Sequence, residues 1–190
     1  MKVKSAEKEA EIERVVLDIT WEVGLAGLKM SNIAKRANLA HGTVYIYFKN
    51  KQDLINGLFK KVKRKAAYSI GTGSEIDGNF YEALQTIWRK FIVYLVENQR
   101  EIHFLRQCME SPFLEENNLK LSDVYKQNFL DFLEKGKASK NVKSMNTELL
   151  SSIFSGLARE IVDRIEEETL ELNDDLIADS FELCWHAIRK

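Results

Sequence analysis

Apolar residues recur along most of this chain with the period of an α-helix. In the first segment Ile12, Val15, Val16, Ile19 and Val23 share one helical face, and Gly24 and Gly27 then stop the pattern. The spacing predicts short helices over about 31–37 and 41–48, separated by a turn at 38–40. A longer helix is expected from Lys51, with Leu54, Ile55, Leu58, Phe59 and Val62 on one side. Residues 69–79 hold three of the nine glycines and read as a loop and domain junction.

Beyond that loop, Asn79 followed three residues on by Glu82 looks like a capping box, opening an amphipathic helix through Leu95. Further helices are expected over about 101–110, ending near Pro112, and over about 122–135, ended by Gly136. Two strong helices close the chain, over about 147–166 and 174–189. Asn173 is placed to cap the second, and Asp174 and Asp175 lie in its first turn, where the helix dipole favours anions. No strand alternation or repeat is visible. The expected fold is all-α with about nine helices: a three-helix helix-turn-helix domain over 1–65 and a helical bundle over 66–190.

Charge sharpens that division. Residues 1–65 carry 14 Lys and Arg against 7 Asp and Glu, a net of +7, while 66–190 carry a net of −8. A basic end beside an acidic remainder suits a partner that is a polyanion, although an unevenly charged solvated surface gives the same count. Cys108 and Cys184 are far apart and lie in apolar helical patterns. With no apolar leader in the first residues, they point to a reduced, cytoplasmic protein. The densest apolar stretch, 91–96, is far too short to cross a bilayer, so no membrane partner is expected.

Enzyme chemistry finds little footing. His41, His103 and His186 show no metal-ligand spacing, and no phosphate loop or nucleophile elbow is present. No metal or cofactor is expected, and the run Glu166-Glu167-Glu168 reads as solvated.

The informative stretch is IAKRANLAHGTVYIYFKNKQDLI, residues 33–55. Ile33, Ala34 and Ala37 put small and apolar residues on the inner face of the first short helix, and Ala34 lets the next helix cross closely. The turn needs a residue that tolerates positive φ, which Asn38 does, and Leu39 plugs the space between the helices. His41, Gly42 and Thr43 open the second helix, with Tyr45, Tyr47 and Lys51 after them. Backbone N–H groups at a helix start and Thr, Tyr and Lys side chains are groups that hold phosphate, and a short helix exposing its first residues can enter a major groove.

This pattern resembles the DNA-binding domain of the TetR family of bacterial transcriptional regulators. The resemblance is dense over 30–54 and looser over 1–65, and beyond it only length and helix pattern match. It implies a homodimer on double-stranded operator DNA, most simply a repressor of a palindromic site, released by a small-molecule effector. The DNA-contacting set it implies is Lys29, Ser31, His41, Gly42, Thr43, Tyr45, Ile46, Tyr47 and Lys51.

Within that set, Thr43 and His41 suit base edges, Tyr47 suits phosphate from an exposed position, and Tyr45 either packs in the core or reaches phosphate. Ile46 makes only apolar contact, for example with a thymine methyl. Two departures from the family pattern stand out: Leu28 and Lys29 stand where Thr or Ser is frequent, and Ala40 where Ser often caps the recognition helix. The last two helices carry wide apolar stripes. Phe154, Leu157, Ile161, Phe181 and Trp185 serve a subunit interface or the monomer core. Trp88, Phe91, His103, Gln107, Cys108, Tyr125 and Phe129 are the candidates to line a pocket for a lipophilic or aromatic effector, or else ordinary core. A helical interaction protein without DNA function is the competing class.

Overall fold

The computed structural model describes residues 5–71 and 79–190. Among them the chain forms nine α-helices: α1 Ala6–Val23, α2 Met30–Arg36, α3 His41–Tyr47, α4 Lys51–Ile70, α5 Phe80–Glu97, α6 Gln99–Met109, α7 Glu116–Ala138, α8 Thr147–Glu166 and α9 Asp174–Ile188. A 3-10 turn, Leu25–Gly27, joins α1 to α2. The described residues form no strand beyond an isolated antiparallel bridge between Val142 and Arg189. No described helix is long and apolar enough to cross a membrane.

The chain divides into two compact units, Met1–Lys65 with Asn98–Leu121, and Ala66–Glu97 with Ser122–Lys190. In the first, the stripe read from the sequence is the core: Ile12, Val15, Val16 and Ile19 are buried together with Ile33, Val44, Leu54, Ile55, Leu58 and Phe59. α6 adds Phe104, Leu105 and Cys108 to the same cluster and packs on α1. The chain leaves α1 where Gly24 takes φ 73°, a left-handed value that suits glycine. A buried polar knot pins the segment before α7. The side chain of Asn56 donates to the carbonyls of Gln52 and Phe113 and accepts from the Glu115 N–H and the Asn118 amide.

In the second unit a cluster of aromatic rings joins α5, α7, α8 and α9 within an otherwise aliphatic core. The Phe154 ring meets Trp88, Phe91 and Phe129 at centroid distances of 5.0, 5.7 and 4.7 Å, and Phe80 stacks on Phe132 at 4.7 Å. The fully buried Trp88 donates its indole N–H to Ser180 Oγ at 3.1 Å, so its polar atom is satisfied inside the unit. Asn79 accepts from the Glu82 N–H, and Asn173 from the Leu176 N–H, the caps their positions predict.

Three helix limits differ from the expectation. α7 begins at Glu116 rather than near 122, because its first turn is organised by the buried amide of Asn118 rather than by apolar periodicity. It also runs through Gly136 to Ala138. That glycine is a packing residue, since a Cβ there would lie 2.4 Å from the Phe80 ring. Helix α4 extends to Ile70, and residues 72–78 of the expected loop lie outside the described residues.

Candidate nucleic-acid interface

Helices α2 and α3 are joined by a turn whose geometry follows from Asn38. This residue takes φ 52°, and two bonds close the end of α2 around it: Leu39 N–H to the Ala34 carbonyl at 2.9 Å, and Asn38 N–H to the Lys35 carbonyl at 3.2 Å. That pair is the Schellman arrangement, with asparagine in the left-handed position. Leu39 then packs against the core. Ala40 occupies the N-cap of α3 and Lys29 that of α2, and neither side chain makes a capping bond.

The phase of α3 sorts its side chains. Val44 and Tyr47, one turn apart, face inward, with Val44 fully buried. His41, Gly42, Tyr45 and Ile46 are exposed, and Thr43 is half-buried. The two tyrosines therefore sit opposite to one expectation: Tyr47 is 9% exposed and accepts from the Ser5 N–H at 2.9 Å, whereas Tyr45 is 44% exposed. The rings of His41 and Tyr45, one turn apart, meet edge to face at 5.2 Å. A Cβ on Gly42 would meet nothing within 4 Å, so packing within the protein does not require glycine there.

Five cations of this unit are held by the ion pairs of helices α1, α2, α4 and α6. Arg14 pairs with Glu11 and Asp18, Arg36 with Glu22, Arg100 with Asp18, Lys61 with Glu13 and Lys65 with Glu101. The Arg36 hydrogen bonds hold the Glu22 carboxyl below its ordinary range. Lys29 before α2, Lys35 in its last turn and Lys49 after α3 are exposed and form no ion pair among the described residues. Lys35 and Lys49 were not among the expected contacts, although both lie in the informative stretch. Ser31 is exposed at the start of α2. Lys51 is placed differently: its Nζ donates to the Leu25 carbonyl at 3.0 Å and lies 4.6 Å from the Phe113 ring centre, and burial lowers its pKa.

The seven residues expected around an effector do not gather in one unit. Trp88, Phe91, Tyr125 and Phe129 belong to the second unit, with Trp88 enclosed and the other three half-buried. His103, Gln107 and Cys108 belong to the first, because α6 packs on α1. Gln107 there accepts from the Leu25 N–H, the His103 ring meets Trp21 at 5.2 Å, and Cys108 is core. A cleft of about 600 Å³ lies between α5 and α9, lined by residues that include Thr86, Arg89, Lys90, Val93, Asp174 and Ile177, none of them in the expected set. An Arg89–Asp174 ion pair of 2.6 Å lies along it.

Of the residues expected at a subunit interface, Phe154, Ile161 and Phe181 are buried within the unit, and Leu157 and Trp185 are half-buried. Burial follows from the ring cluster around Phe154 and from the edge contact of Phe181 with Tyr81. The apolar side chains left outward are Leu149 on α8 and, at 67% exposure, Leu183 on α9.

Comparison with known proteins matches two family models that meet near residue 58. Residues 17–58 match the family model described as bacterial regulatory proteins of the tetR family, and residues 59–190 match a tetracyclin repressor-like C-terminal domain. An HTH-type transcriptional regulator of Haemophilus influenzae is 32% identical over 89 residues, 47% of this chain and 48% of that protein. The fatty acid metabolism regulator protein of Bacillus subtilis is 41% identical over 54 residues, 28% of either chain. The chain thus matches about half, or less, of the length of these curated relatives. Among solved structures, a TetR family transcription regulator from Marinobacter aquaeolei superposes with a TM-score of 0.85 at 20% identity, covering 96% of each chain. The fatty acid degradation regulator from Bacillus halodurans superposes at 0.70 with 19% identity, over 96% of this chain and 97% of that one.

Proposed function

The chain belongs to the tetR family of bacterial regulatory proteins, and on that premise we propose that it is a repressor that binds a palindromic operator as a homodimer. The observation that carries this reading is the outer face of α3. His41, Gly42, Tyr45 and Ile46 are exposed together, and the unpaired cations Lys29, Lys35 and Lys49 flank them. A face of this kind suits a major groove: His41 and Thr43 offer hydrogen bonds to base edges, Ile46 an apolar surface for a thymine methyl, and the lysines counter-charge for phosphate. Tyr45 takes the phosphate-facing role expected of Tyr47. Gly42, unneeded by packing, lets the DNA backbone approach closely.

Dimerisation brings two such helices to two half-sites, spaced by a helical turn of DNA or its multiples. The surface proposed for it is the outward side of α8 and α9, with Leu149, Ile153, Leu157 and Leu183 in place of the buried Phe154 and Phe181. The signal proposed is a lipophilic or aromatic small molecule bound among the half-buried rings Phe91, Tyr125 and Phe129 of the second unit. The names of two fatty acid regulators among the relatives and structural neighbours agree with a lipophilic class. Such a ligand acts only by binding one conformation better than the other.

Selection of bound fragments from genomic DNA tests the reading. It should return a palindromic site whose affinity falls steeply with salt. Equal binding to selected and random duplexes sinks it. Light scattering that finds a monomer at micromolar concentration sinks the dimer.

A further inference from the structure

Residue Leu25 is held by its backbone from two sides. It opens the 3-10 turn between α1 and α2, directly after Gly24 has broken the helix with φ 73° and ψ 169°. Its N–H therefore has no helical acceptor, and Gln107 Oε1 on α6 accepts it at 2.6 Å. Its carbonyl takes the Leu28 N–H at a long 3.3 Å and the Lys51 ammonium at 3.0 Å.

Each clamp is itself braced. A backbone N–H can only donate, so the Gln107 amide must turn its oxygen to Leu25. Its nitrogen then faces His103 Nε2 at 3.1 Å, and the His103 ring rests edge-on against Trp21. The Lys51 ammonium sits over the Phe113 ring, and the Phe113 carbonyl is tied to Asn56. Lys51 thus points its charge at a carbonyl and an aromatic face of its own unit, unlike Lys29, Lys35 and Lys49.

We infer that Lys51 and Gln107 are positioning residues for DNA reading: they clamp the two polar groups of Leu25, set the α1–α2 turn, and so orient α2 and α3, and Lys51 is not a phosphate ligand. This inference rests on the proposed DNA-binding function. It also names what a phosphate ligand and a clamp would do differently. A lysine on phosphate releases counterions, so removing it flattens the dependence of log affinity on log salt by about one for each subunit. A clamp changes how well the recognition helix fits and leaves that slope alone.

The experiment titrates a labelled duplex, selected by the wild-type protein from a random library, at several salt concentrations. The proteins are wild type, Lys51→Met, Gln107→Met and the double variant. Each single variant should weaken binding roughly tenfold, the order expected for loss of a charge-assisted or buried hydrogen bond, with the salt slope unchanged. Because both act through Leu25, the double variant should lose clearly less than the product of the two. A slope lowered by about two per dimer in Lys51→Met would make Lys51 a phosphate ligand and overturn the inference. So would undiminished affinity in Gln107→Met, which removes no charge and carries the test alone if Lys51→Met does not fold. If the wild type selects no sequence at all, the DNA-binding reading falls first and the inference with it.

Discussion

Around Asn56 in the first unit, four hydrogen bonds converge on one side chain. Around Phe154 in the second, three aromatic rings do. The first arrangement is directional: each bond fixes an angle as well as a distance, and the Leu25 clamps work in the same way. The second is a contact of faces and edges, which holds volume more than orientation. The contrast fits the proposed tasks. A reading helix has to present His41, Tyr45 and Ile46 to a groove at a fixed angle. A ligand domain has to repack around its effector, and polar bonds with strict geometry would resist that.

The sharpest way to break this contrast is to empty its aromatic centre. Phe154→Ala should cost about 3–5 kcal/mol, the usual loss for a buried phenylalanine whose neighbours cannot close the gap. Denaturant unfolding measures it. Each unit also carries an internal reporter, since burial raises the thiol pKa of both Cys108 and Cys184 to about 12. Below about pH 9 both thiols stay protonated in the fold, so thiol reagents should modify them only through opening. The raised pKa also means that the protonated thiols favour the fold below the unfolded pKa, a contribution lost as pH rises toward 12. In Phe154→Ala, Cys184 should react faster by a larger factor than Cys108. Equal acceleration would erase the distinction between the two cores.

The polar side is tested by Asn56→Leu. The substitution strands the Phe113 carbonyl and the Glu115 N–H in a partly buried place and leaves the Asn118 amide only its longer bond to the backbone carbonyl of residue 56, at a cost of about 2–3 kcal/mol. Here Cys108 should become the faster thiol. A loss well under 1 kcal/mol would mean that water replaces the amide, and the knot would not be the brace described above.

Much of this was legible in the sequence, and the gaps have physical causes. Helix number, the left-handed Asn38, the Leu39 plug and the caps at Asn79 and Asn173 all follow from local patterns. Tyr45 and Tyr47 exchanged places because α3 is only seven residues long. Its phase is set by Val44 in the core, which a short pattern does not reveal. The start of α7 was hidden because Asn118 is buried by hydrogen bonds rather than by hydrophobicity. The partner of Lys51 is a backbone carbonyl 26 positions upstream, and carbonyls leave no mark in a sequence. Likewise the ring-rich stretch of α6 reads as pocket lining by composition, although Phe104 and Cys108 pack on α1.

A smaller effect comes from Thr20, which is fully buried in α1 and whose hydroxyl has no hydrogen-bond partner among the described residues. Thr20→Val keeps the branched shape and removes the stranded oxygen. It should stabilise the protein by about 1 kcal/mol, read as a raised denaturation midpoint with unchanged slope. A destabilised variant would imply that the hydroxyl is bonded in solution, and directional bonds would then account for even more of the first unit.

The smallest effect is expected at the edge of the proposed DNA face, from Ala40→Ser. Ala40 already has the extended backbone of an N-cap, φ −60° and ψ 141°, and its carbonyl accepts from the Thr43 N–H at 2.7 Å. What it lacks is an oxygen for the free N–H groups at the start of α3. Serine supplies one without moving the chain. The gain should be about 0.5–1 kcal/mol, toward the low end of the range for such caps because the residue is exposed and α3 is short. The same hydroxyl stands beside His41, so in the DNA complex it faces a choice between the helix and a phosphate. If the cap acts only on the helix, Ala40→Ser raises stability, and affinity for selected and random duplexes stays in the same ratio. If the hydroxyl reaches phosphate, affinity rises on both duplexes alike, because phosphate contacts carry no sequence information. A change confined to the selected duplex fits neither. It would mean that orienting α3 by a single local bond is enough to alter base reading, which would extend directional control in the first unit to the recognition helix itself.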